Sequence, residues 1–195
     1  MNILVLGPQG SGKGTQAKRI KATYGIPHVA TGDMLREMRG IGNDLGRELS
    51  AVMDRGDLVS DEMMIELIRS RLSRGDTLGG FVLDGFPRTM PQAEALHELL
   101  RELDRGLDVV FDFQIPDREV VVRRMLERAT EEGRADDTPD AIARRLDLYE
   151  RETAPLVEYY RTHQANVVGI HADRGVDEVF AEIDRALASL EGRDA

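Results

Sequence analysis

The sequence predicts a three-layer α/β/α fold around a five-stranded parallel sheet. Short, continuous apolar runs alternate along the chain with longer segments of helical periodicity. Apolar runs without polar alternation are typical of parallel strands that are buried on both faces. When strands and helices alternate in this way, the helices cover both sides of one sheet. A chain of 195 residues can bury a sizeable core, and we expect a single domain over residues 1–195.

Five segments carry the strand pattern, the second of them weakly: residues 2–6, 27–30, 80–84, 109–115 and 167–171. Apolar residues at i, i+3 and i+4 predict helices in six further segments: residues 13–24, 61–74, 91–104, 117–130, 139–160 and 176–190. Asp61, Pro91 and Pro139 stand where helices begin, because acidic residues and proline favour the first turn.

Two segments interrupt the alternation of strands and helices. Residues 30–60 are mostly helical in pattern, which predicts a helical insertion. Residues 128–139 are polar and rich in turn-forming residues, which predicts a short mobile flap.

The composition excludes several classes of function. The chain contains no cysteine, so it has no disulfides or thiolate metal sites, and its four scattered histidines argue against zinc. A net charge of -10 argues against general nucleic-acid binding, which needs a broad basic face. No apolar run approaches the roughly 20 residues of a membrane span, and the first residues predict a strand and not a signal peptide. We expect a cytoplasmic protein.

The segment LGPQGSGKGTQA, Leu6–Ala17, nearly matches the phosphate-binding pattern G-x-x-x-x-G-K-[ST]. Two glycines and Lys13 take the expected positions, but Gly14 replaces the hydroxyl residue and Thr15 follows one place later. A glycine-rich turn between a strand and a helix directs backbone N–H groups toward an anion. We therefore expect these residues to bind nucleotide phosphates: Gly10, Ser11, Gly12, Lys13, Gly14 and Thr15.

Four motifs, in order and at similar distances, resemble those of the nucleoside monophosphate kinases, most closely the short-lid branch of the adenylate kinases. They are GPQGSGKGTQA, TGDMLR at 31–36, DGFPRTMPQA at 84–93, and RATEEGRADD at 128–137 followed by RR at 144–145. Gly-Thr after the lysine is normal in this family, whereas Gln9 stands where the family usually has proline. The resemblance implies that a monomeric enzyme reversibly transfers a phosphoryl group from MgATP to AMP, giving two ADP. It also implies that residues 30–60 bind the monophosphate and that residues 128–139 form a short lid.

The resemblance further implies roles for individual residues. The expected AMP site consists of Thr31, Arg36, Asp57, Leu58, Val59, Gly85, Phe86, Pro87, Arg88 and Gln92, with Arg134 and Arg145 bridging the two phosphate groups. The phosphate loop then binds ATP, together with Arg124, Arg128 and, through backbone before the last helix, Arg174. The implied catalytic set is Lys13, Asp84, Arg88, Arg128, Arg134 and Arg145. Mg²⁺ is expected to arrive with ATP and to lie, through water, near Asp84 and Thr15; a zinc-bound lid is not expected.

The chemistry of these residue types agrees with such a reaction. Two polyanionic nucleotides have to meet, and arginine binds phosphate oxygens in a bidentate fork without losing its proton. An acceptor phosphate with a second pKa of about 6 is mostly a dianion near pH 7, so no general base is needed. Asp136 and Asp137 admit two interpretations: they orient the lid arginines by ion pairing, or they only solvate the flap.

Two alternative functions stay open from the sequence. A UMP/CMP kinase would share the fold, but Thr31 and Gln92 favour AMP, because this relative tends to have serine and asparagine there. A nucleotide-dependent switch protein would keep the phosphate loop without an acceptor site. The set of arginines favours the enzyme, and the guanine-binding pattern N-K-x-D of GTPases does not occur in the sequence.

Overall fold

Five parallel strands form the central sheet of the computed structural model, which describes residues 1–131, 133–134, 136–163 and 166–191. The strands are β1 (Asn2–Leu6), β2 (His28–Ala30), β3 (Phe81–Asp84), β4 (Val109–Gln114) and β5 (Val167–His171). They lie in the order β2–β3–β1–β4–β5, and each neighbouring pair is parallel. The predicted fold class is confirmed, and each predicted strand ends within one residue of its observed bounds.

The helices are α1 (Lys13–Tyr24), α2 (Thr31–Gly40), α3 (Asp44–Asp54), α4 (Asp61–Leu72), α5 (Met90–Glu102), α6 (Arg118–Glu131), α7 (Pro139–Leu148), α8 (Leu156–His163) and α9 (Val176–Glu191). Four of them begin at a side chain that accepts the backbone N–H three residues later, as good N-caps do. These caps are Asn43, Ser60, Thr89 and Thr138.

The sheet separates two apolar clusters. Side chains alternate along β1, so that Ile3 and Val5 pack on the face covered by α1 and α9. Leu4 and Leu6 pack on the opposite face, with side chains of α4, α5 and α8. Because both faces are covered, the strands are continuous apolar runs, as the sequence pattern predicts.

The prediction of one helix over residues 139–160 is wrong in its middle. α7 ends at Leu148, a π-helical turn spans Tyr149–Thr153, and α8 begins at Leu156. Pro155 explains the break, because proline has no N–H for the helix ladder and its ring crowds the carbonyl four residues earlier.

The helical insertion and part of the predicted lid are visible in the structure. α2 and α3 occupy residues 30–60 and pack against each other. Within the predicted lid at 128–139, α6 continues to Glu131 and Thr138 caps α7, while Glu132 and Ala135 lie outside the described residues. Among the described helices, none combines the length and apolar character that a membrane crossing requires.

The strand order reverses around β1. From β1 the chain moves to β2 and β3 on one side, and later to β4 and β5 on the other. In open parallel sheets a ligand crevice forms at the carboxyl ends of the strands beside such a reversal. The glycine-rich loop follows β1, and Asp84 ends the neighbouring strand β3 at the same edge.

Candidate active site

A cavity of about 630 Å³ opens at this edge of the sheet. Its walls come from the loop before α1, the helical insertion, the loop after β3, the end of α6 and the loop before α9. Segments that are far apart in the chain therefore meet around one space.

Backbone geometry shapes the phosphate loop between β1 and α1. Gly10 and Gly12 adopt left-handed φ angles of 83° and 85°, which residues with a Cβ rarely adopt. A Cβ at Gly10 would lie 2.8 Å from the carbonyl oxygen of Val121, whereas a Cβ at Gly12 would meet nothing within 4 Å. The open space at Gly12 leaves room for an anion at the N-terminus of α1.

The ammonium group of Lys13 turns back onto this loop. Nζ donates to the carbonyl oxygens of Gly7 and Pro8 at 2.6 and 2.7 Å, and to Ser11 Oγ at 3.4 Å. Burial lowers the pKa of Lys13 to about 8, although the charge of Asp84 opposes this shift. Because all three donors have protein acceptors, an incoming phosphate has to replace one of them.

Asp84 supplies the carboxylate nearest the phosphate loop. Its Oδ2 lies 3.3 Å from His28 Nε2, and a Cβ placed on Gly14 would lie 3.5 Å from the same oxygen. Burial raises the pKa of Asp84, but the hydrogen bond from His28 and the charges of Lys13 and Arg88 outweigh burial and hold this pKa below its ordinary value. Asp84 is therefore ionised at neutral pH.

Arg88 is held by hydrogen bonds to its backbone and its side chain. Its N–H donates to Gln92 Oε1 at 2.8 Å, and its carbonyl oxygen accepts from the Thr153 hydroxyl at 2.8 Å. Its Nε donates to the Gly85 carbonyl oxygen at 2.9 Å. Burial lowers the pKa of Arg88, yet a guanidinium stays charged at physiological pH. The terminal nitrogens of this fixed guanidinium group can donate hydrogen bonds to an oxyanion in the cavity.

The start of the insertion packs closely against the loop after β3. Thr31 is fully buried, and its hydroxyl donates to the Asp84 carbonyl oxygen at 3.2 Å. A Cβ at Gly85 would lie 2.5 Å from Thr31 Oγ1, so this approach requires glycine. Arg36, one turn further along α2, pairs with Asp33 and lines the cavity.

The end of the insertion contacts α7, the helix that follows the predicted lid. Asp57 accepts from Arg55 Nε at 2.9 Å and pairs with Arg144 of α7. These two arginines, Arg55 first, hold the pKa of Asp57 below its ordinary value. Leu58 and Val59 follow and line the cavity.

Two carboxylates beside the lid hold two arginines. Asp137, whose side chain is fully buried, accepts from Arg128 Nε and Nη2 at 3.0 and 2.7 Å and also pairs with Arg145. Arg145 donates in addition to Asp136 at 2.6 Å and to the Met53 carbonyl oxygen at 3.1 Å. Burial raises the pKa of Asp136, but the bond from Arg145 outweighs it and lowers the pKa. Ion pairing is therefore the interpretation of Asp136 and Asp137 that the structure supports.

The loop after β5 closes the remaining side of the cavity. Arg124 of α6 donates to the Ala172 carbonyl oxygen at 2.8 Å, and Gln16 of α1 donates to the Val176 carbonyl oxygen at 2.9 Å. Arg174 lies in this loop, 47% exposed, and pairs with Glu182 at 3.9 Å. Together these bonds attach the loop to α1 and α6.

The charge of the cavity is opposite in sign to that of the chain. Among the described residues, nine lysines and arginines and six acidic residues line the cavity, although the chain has a net charge of -10. A basic cavity in an acidic protein attracts polyanionic ligands to that one place.

Comparisons with known proteins agree with this arrangement. The family model for adenylate kinase matches residues 5–165. An adenylate kinase of Maricaulis maris is 48% identical over 189 residues, which cover 96% of this chain and 98% of the relative. One of Stenotrophomonas maltophilia is 44% identical over 194 residues, covering 98% and 100%, and one of Methanothrix thermoacetophila is 39% identical over 216 residues, covering 98% and 100%. The chain belongs to the adenylate kinase family.

Membership of the adenylate kinase family confirms the predicted class of activity, an ATP:AMP phosphotransferase. The structure brings most of the predicted nucleotide-binding and catalytic residues to one cavity. They are Gly10, Ser11, Gly12, Lys13, Gly14, Thr15, Thr31, Arg36, Asp57, Leu58, Val59, Asp84, Gly85, Arg88, Gln92, Arg124, Arg128, Arg134, Arg145 and Arg174.

Phe86 and Pro87 lie apart from the other predicted AMP-site residues, and their contact with AMP stays a prediction. Neither is among the described residues that line the cavity. Phe86 is 1% exposed and packs in the apolar cluster beneath the sheet, and Pro87 follows it through a cis peptide bond. They support the loop that carries Arg88, and the side chains of the same motif that line the cavity are those of Asp84, Arg88 and Gln92.

Several residues that position side chains of the cavity carry no local signal in the sequence. His28 contacts Asp84, Asp61 contacts Gln92, and Thr153 contacts the Arg88 carbonyl oxygen. These pairs are 56, 31 and 65 residues apart. No local pattern marks such pairs; the closest signal is that β2 and β3 both end at the edge where a ligand is expected.

Proposed function

We propose that the ATP phosphates bind in the loop over residues 7–15 and that the AMP phosphate binds at Arg88 and Arg36. The observation that carries this proposal is that the loop and these arginines line one cavity. Two nucleotides in one cavity react as neighbours, so the γ-phosphoryl group passes directly between them without a covalent enzyme intermediate.

The chain contributes charge and position to this step. The AMP phosphate is mostly a dianion near pH 7 and attacks without losing a proton to a base. Arg88 holds it through its fixed fork, and Arg128, Arg134 and Arg145 neutralise the oxygens of the transferred group. The carboxylates of Asp136 and Asp137 orient two of these arginines before substrate arrives.

Lys13 changes partners when ATP binds. Its donors reach the Gly7 and Pro8 carbonyl oxygens without a ligand, and a phosphate oxygen is a stronger acceptor because it carries charge. The exchange costs little, since one acceptor replaces another, and it stabilises the charged form of the buried ammonium.

We also propose that Asp84 and Thr15 hold water ligands of the Mg²⁺ ion that enters with ATP. Magnesium keeps several waters and takes oxygen ligands, chiefly from phosphates and one or two carboxylates. The ionised, partly buried carboxylate of Asp84 beside Gly14 fits that preference. The ion supplies further neutralisation of the charge on the phosphates.

The helix that follows the predicted lid is connected to the insertion. Arg145 and Arg144 join α7 to Met53 and Asp57 of the insertion. We propose that these elements, over residues 128–139 and 30–60, exclude water from the bound nucleotides and so prevent hydrolysis of ATP. An ATP hydrolysis rate without AMP that rivals the transfer rate would contradict this role.

We propose a cytoplasmic monomer that binds neither nucleic acid nor membranes, because one cavity of a single chain contains both proposed phosphate sites. Light scattering during size exclusion, with and without nucleotides, tests the monomer: the expected mass is near 21.7 kDa, and a doubled mass would contradict it.

Phosphorus NMR tests the proposed acceptor. The protein is mixed with MgATP and, in separate tubes, AMP, CMP, UMP or GMP. ADP signals that grow only with AMP are expected. Formation of CDP or UDP would support the same mechanism with a different acceptor nucleotide. Formation of free phosphate alone with every acceptor would overturn the arginine site.

A further inference from the structure

The side chain of Gln92 lines the cavity but is held from behind by two protein groups. Its Oε1 accepts the backbone N–H of Arg88 at 2.8 Å, and its Nε2 donates to Asp61 Oδ1 at 2.8 Å. The Thr89 hydroxyl donates to the same Asp61 oxygen at 2.9 Å. Gln92 is only 1% exposed, whereas Asp61 and Thr89 are half-buried.

Each of the two protein groups that bind the carboxamide has a single hydrogen-bonding role. A backbone N–H can only donate, and an ionised carboxylate can only accept. Rotating the amide by 180° would place its NH₂ group against the Arg88 N–H and its oxygen against the Asp61 carboxylate. That orientation loses both hydrogen bonds and brings like partial charges together, so one orientation is strongly favoured.

Among the contacts of the described residues, the carboxamide keeps one unused acceptor site and one unused donor. Its oxygen has two lone pairs and its nitrogen two hydrogens, and the protein occupies one of each. Adenine has an amino donor at C6 beside the N1 acceptor, so it matches an oxygen beside an N–H. Hypoxanthine and guanine have an oxygen at C6 beside an N1–H donor, and therefore match only the rotated amide.

We propose that Asp61 determines acceptor specificity by fixing the orientation of the Gln92 carboxamide, so that 6-amino purines bind and 6-oxo purines are rejected. This proposal rests on the proposed AMP site at Gln92. Asp61 is the first residue of α4 and is not among the described residues that line the cavity. It is a positioning residue that acts through Gln92.

The Asp61→Asn variant tests the orientation directly. Asparagine has nearly the same shape, but its amide can accept from Gln92 or donate to it, so it favours neither orientation. The Arg88 N–H still retains part of the preference. The ratio of kcat/KM for AMP to that for inosine monophosphate is expected to fall by about tenfold or more, the worth of one charge-assisted hydrogen bond. The change is expected mainly in KM.

Glu62→Gln is the matched control. Glu62 is the next residue of the same helical turn and is exposed, so this variant removes the same charge without touching Gln92. Its selectivity ratio is expected to equal that of the unmodified protein, and thermal unfolding of both variants checks that they fold. A ratio that falls equally in Glu62→Gln would assign the effect to charge and overturn the proposal.

Two further outcomes separate the premise from the proposal. If Asp61→Asn lowers the activities with AMP and inosine monophosphate in parallel, Asp61 is only structural and the proposal is wrong. If Gln92→Leu leaves KM for AMP unchanged, Gln92 does not contact the base, and both its assignment and the proposal fail. An AMP effect in Gln92→Leu with an unchanged ratio in Asp61→Asn would overturn the Asp61 role alone.

Discussion

The two proposed phosphate sites of this protein are built from different parts of the chain. The loop for ATP is a continuous segment, residues 7–15, whose shape comes from glycines in left-handed conformations between β1 and α1. The opposite side consists of arginine side chains from α2, α6, α7 and the loop after β3. The first is backbone at the edge of the sheet, and the second consists of long side chains, several of which pair with carboxylates.

This difference explains what each side can do. Backbone N–H groups at a strand end are fixed before the ligand arrives, which suits a permanent phosphate cradle. Arg144 and Arg145 of α7 join this helix to the insertion by polar contacts, and Arg128 of α6 pairs with Asp137, which also pairs with Arg145. Such elements can move together when substrates bind, and the arginines then move with them.

The largest effect is expected on the arginine side, from Arg88→Ala. The acceptor phosphate loses a bidentate, charge-assisted partner, which costs about 2 kcal/mol or more. Steady-state kinetics with AMP as the varied substrate should show kcat/KM lower by at least about 30-fold. Arg151→Ala, at an exposed arginine paired with Glu152, is the control and should leave kcat/KM unchanged. Retained activity in Arg88→Ala would remove it from the acceptor site.

The next largest effects are expected from substitutions at two glycines of the proposed ATP loop. Alanine at either Gly10 or Gly12 costs about 1 to 2 kcal/mol for its left-handed backbone. Gly10→Ala also clashes with the Val121 carbonyl oxygen, so its free energy of unfolding should fall further. Gly12→Ala meets open space and should instead raise KM for ATP by about tenfold, because its methyl group displaces the phosphate. Urea unfolding and kinetics of both variants check this separation; equal unfolding losses would contradict it.

Proton uptake tests the exchange of partners by Lys13. The pKa of Lys13 is lowered to about 8, so the unliganded ammonium loses its proton as the pH rises through 8. ATP favours the charged form and raises this pKa, so binding above pH 8 takes up a proton and weakens by up to about tenfold per pH unit. Calorimetry at pH 9, in two buffers of different ionisation enthalpy, measures the uptake.

The Lys13→Arg variant is the control for this titration, because arginine stays charged over the whole range. It should bind ATP without the proton uptake seen in the unmodified protein. Equal uptake in both proteins would assign the proton to another group and contradict the role of Lys13.

The smallest effect is expected at the exposed ion pair between α7 and the insertion. Arg144 is 58% exposed and pairs with Asp57, and exposed pairs contribute little. In Arg144→Ala, kcat/KM for AMP should change by less than about fivefold, and the change should shrink at high salt. Arg47→Ala, at an exposed arginine of α3 paired with Asp44, should not change it. A loss as large as that of Arg88→Ala would place Arg144 in the site itself.

The sequence predicts the position of the proposed ATP loop more completely than the contacts of the proposed acceptor site, because the first is local in the chain and the second is not. The loop is a contiguous motif between a strand and a helix, so its residues and its location follow together. In the acceptor motif at 84–93, the spacing of the residues does not predict which side chains line the cavity. Phe86 packs in the core, while Arg88 reaches the cavity. The contacts of His28 and Asp61 depend on tertiary packing and have no local pattern.

The fold was predictable down to its strand bounds because buried parallel strands leave continuous apolar runs. The interruption between α7 and α8 was not predicted, since apolar periodicity continues across it. Pro155 was the available signal. The π-helical turn beside it brings Thr153 to the Arg88 carbonyl oxygen, so this departure from regular structure also serves the site.

The most direct test of two phosphate sites in one cavity is a crystal structure with a bisubstrate analogue, two adenosines joined through five phosphates. One end should have its phosphates against the backbone of residues 10–15. The other should have its phosphate on Arg88 and its adenine edge on the Gln92 carboxamide, with the amide oxygen toward the C6 amino group. An analogue with either adenosine outside the cavity, or with Arg88 away from the phosphates, would contradict the account.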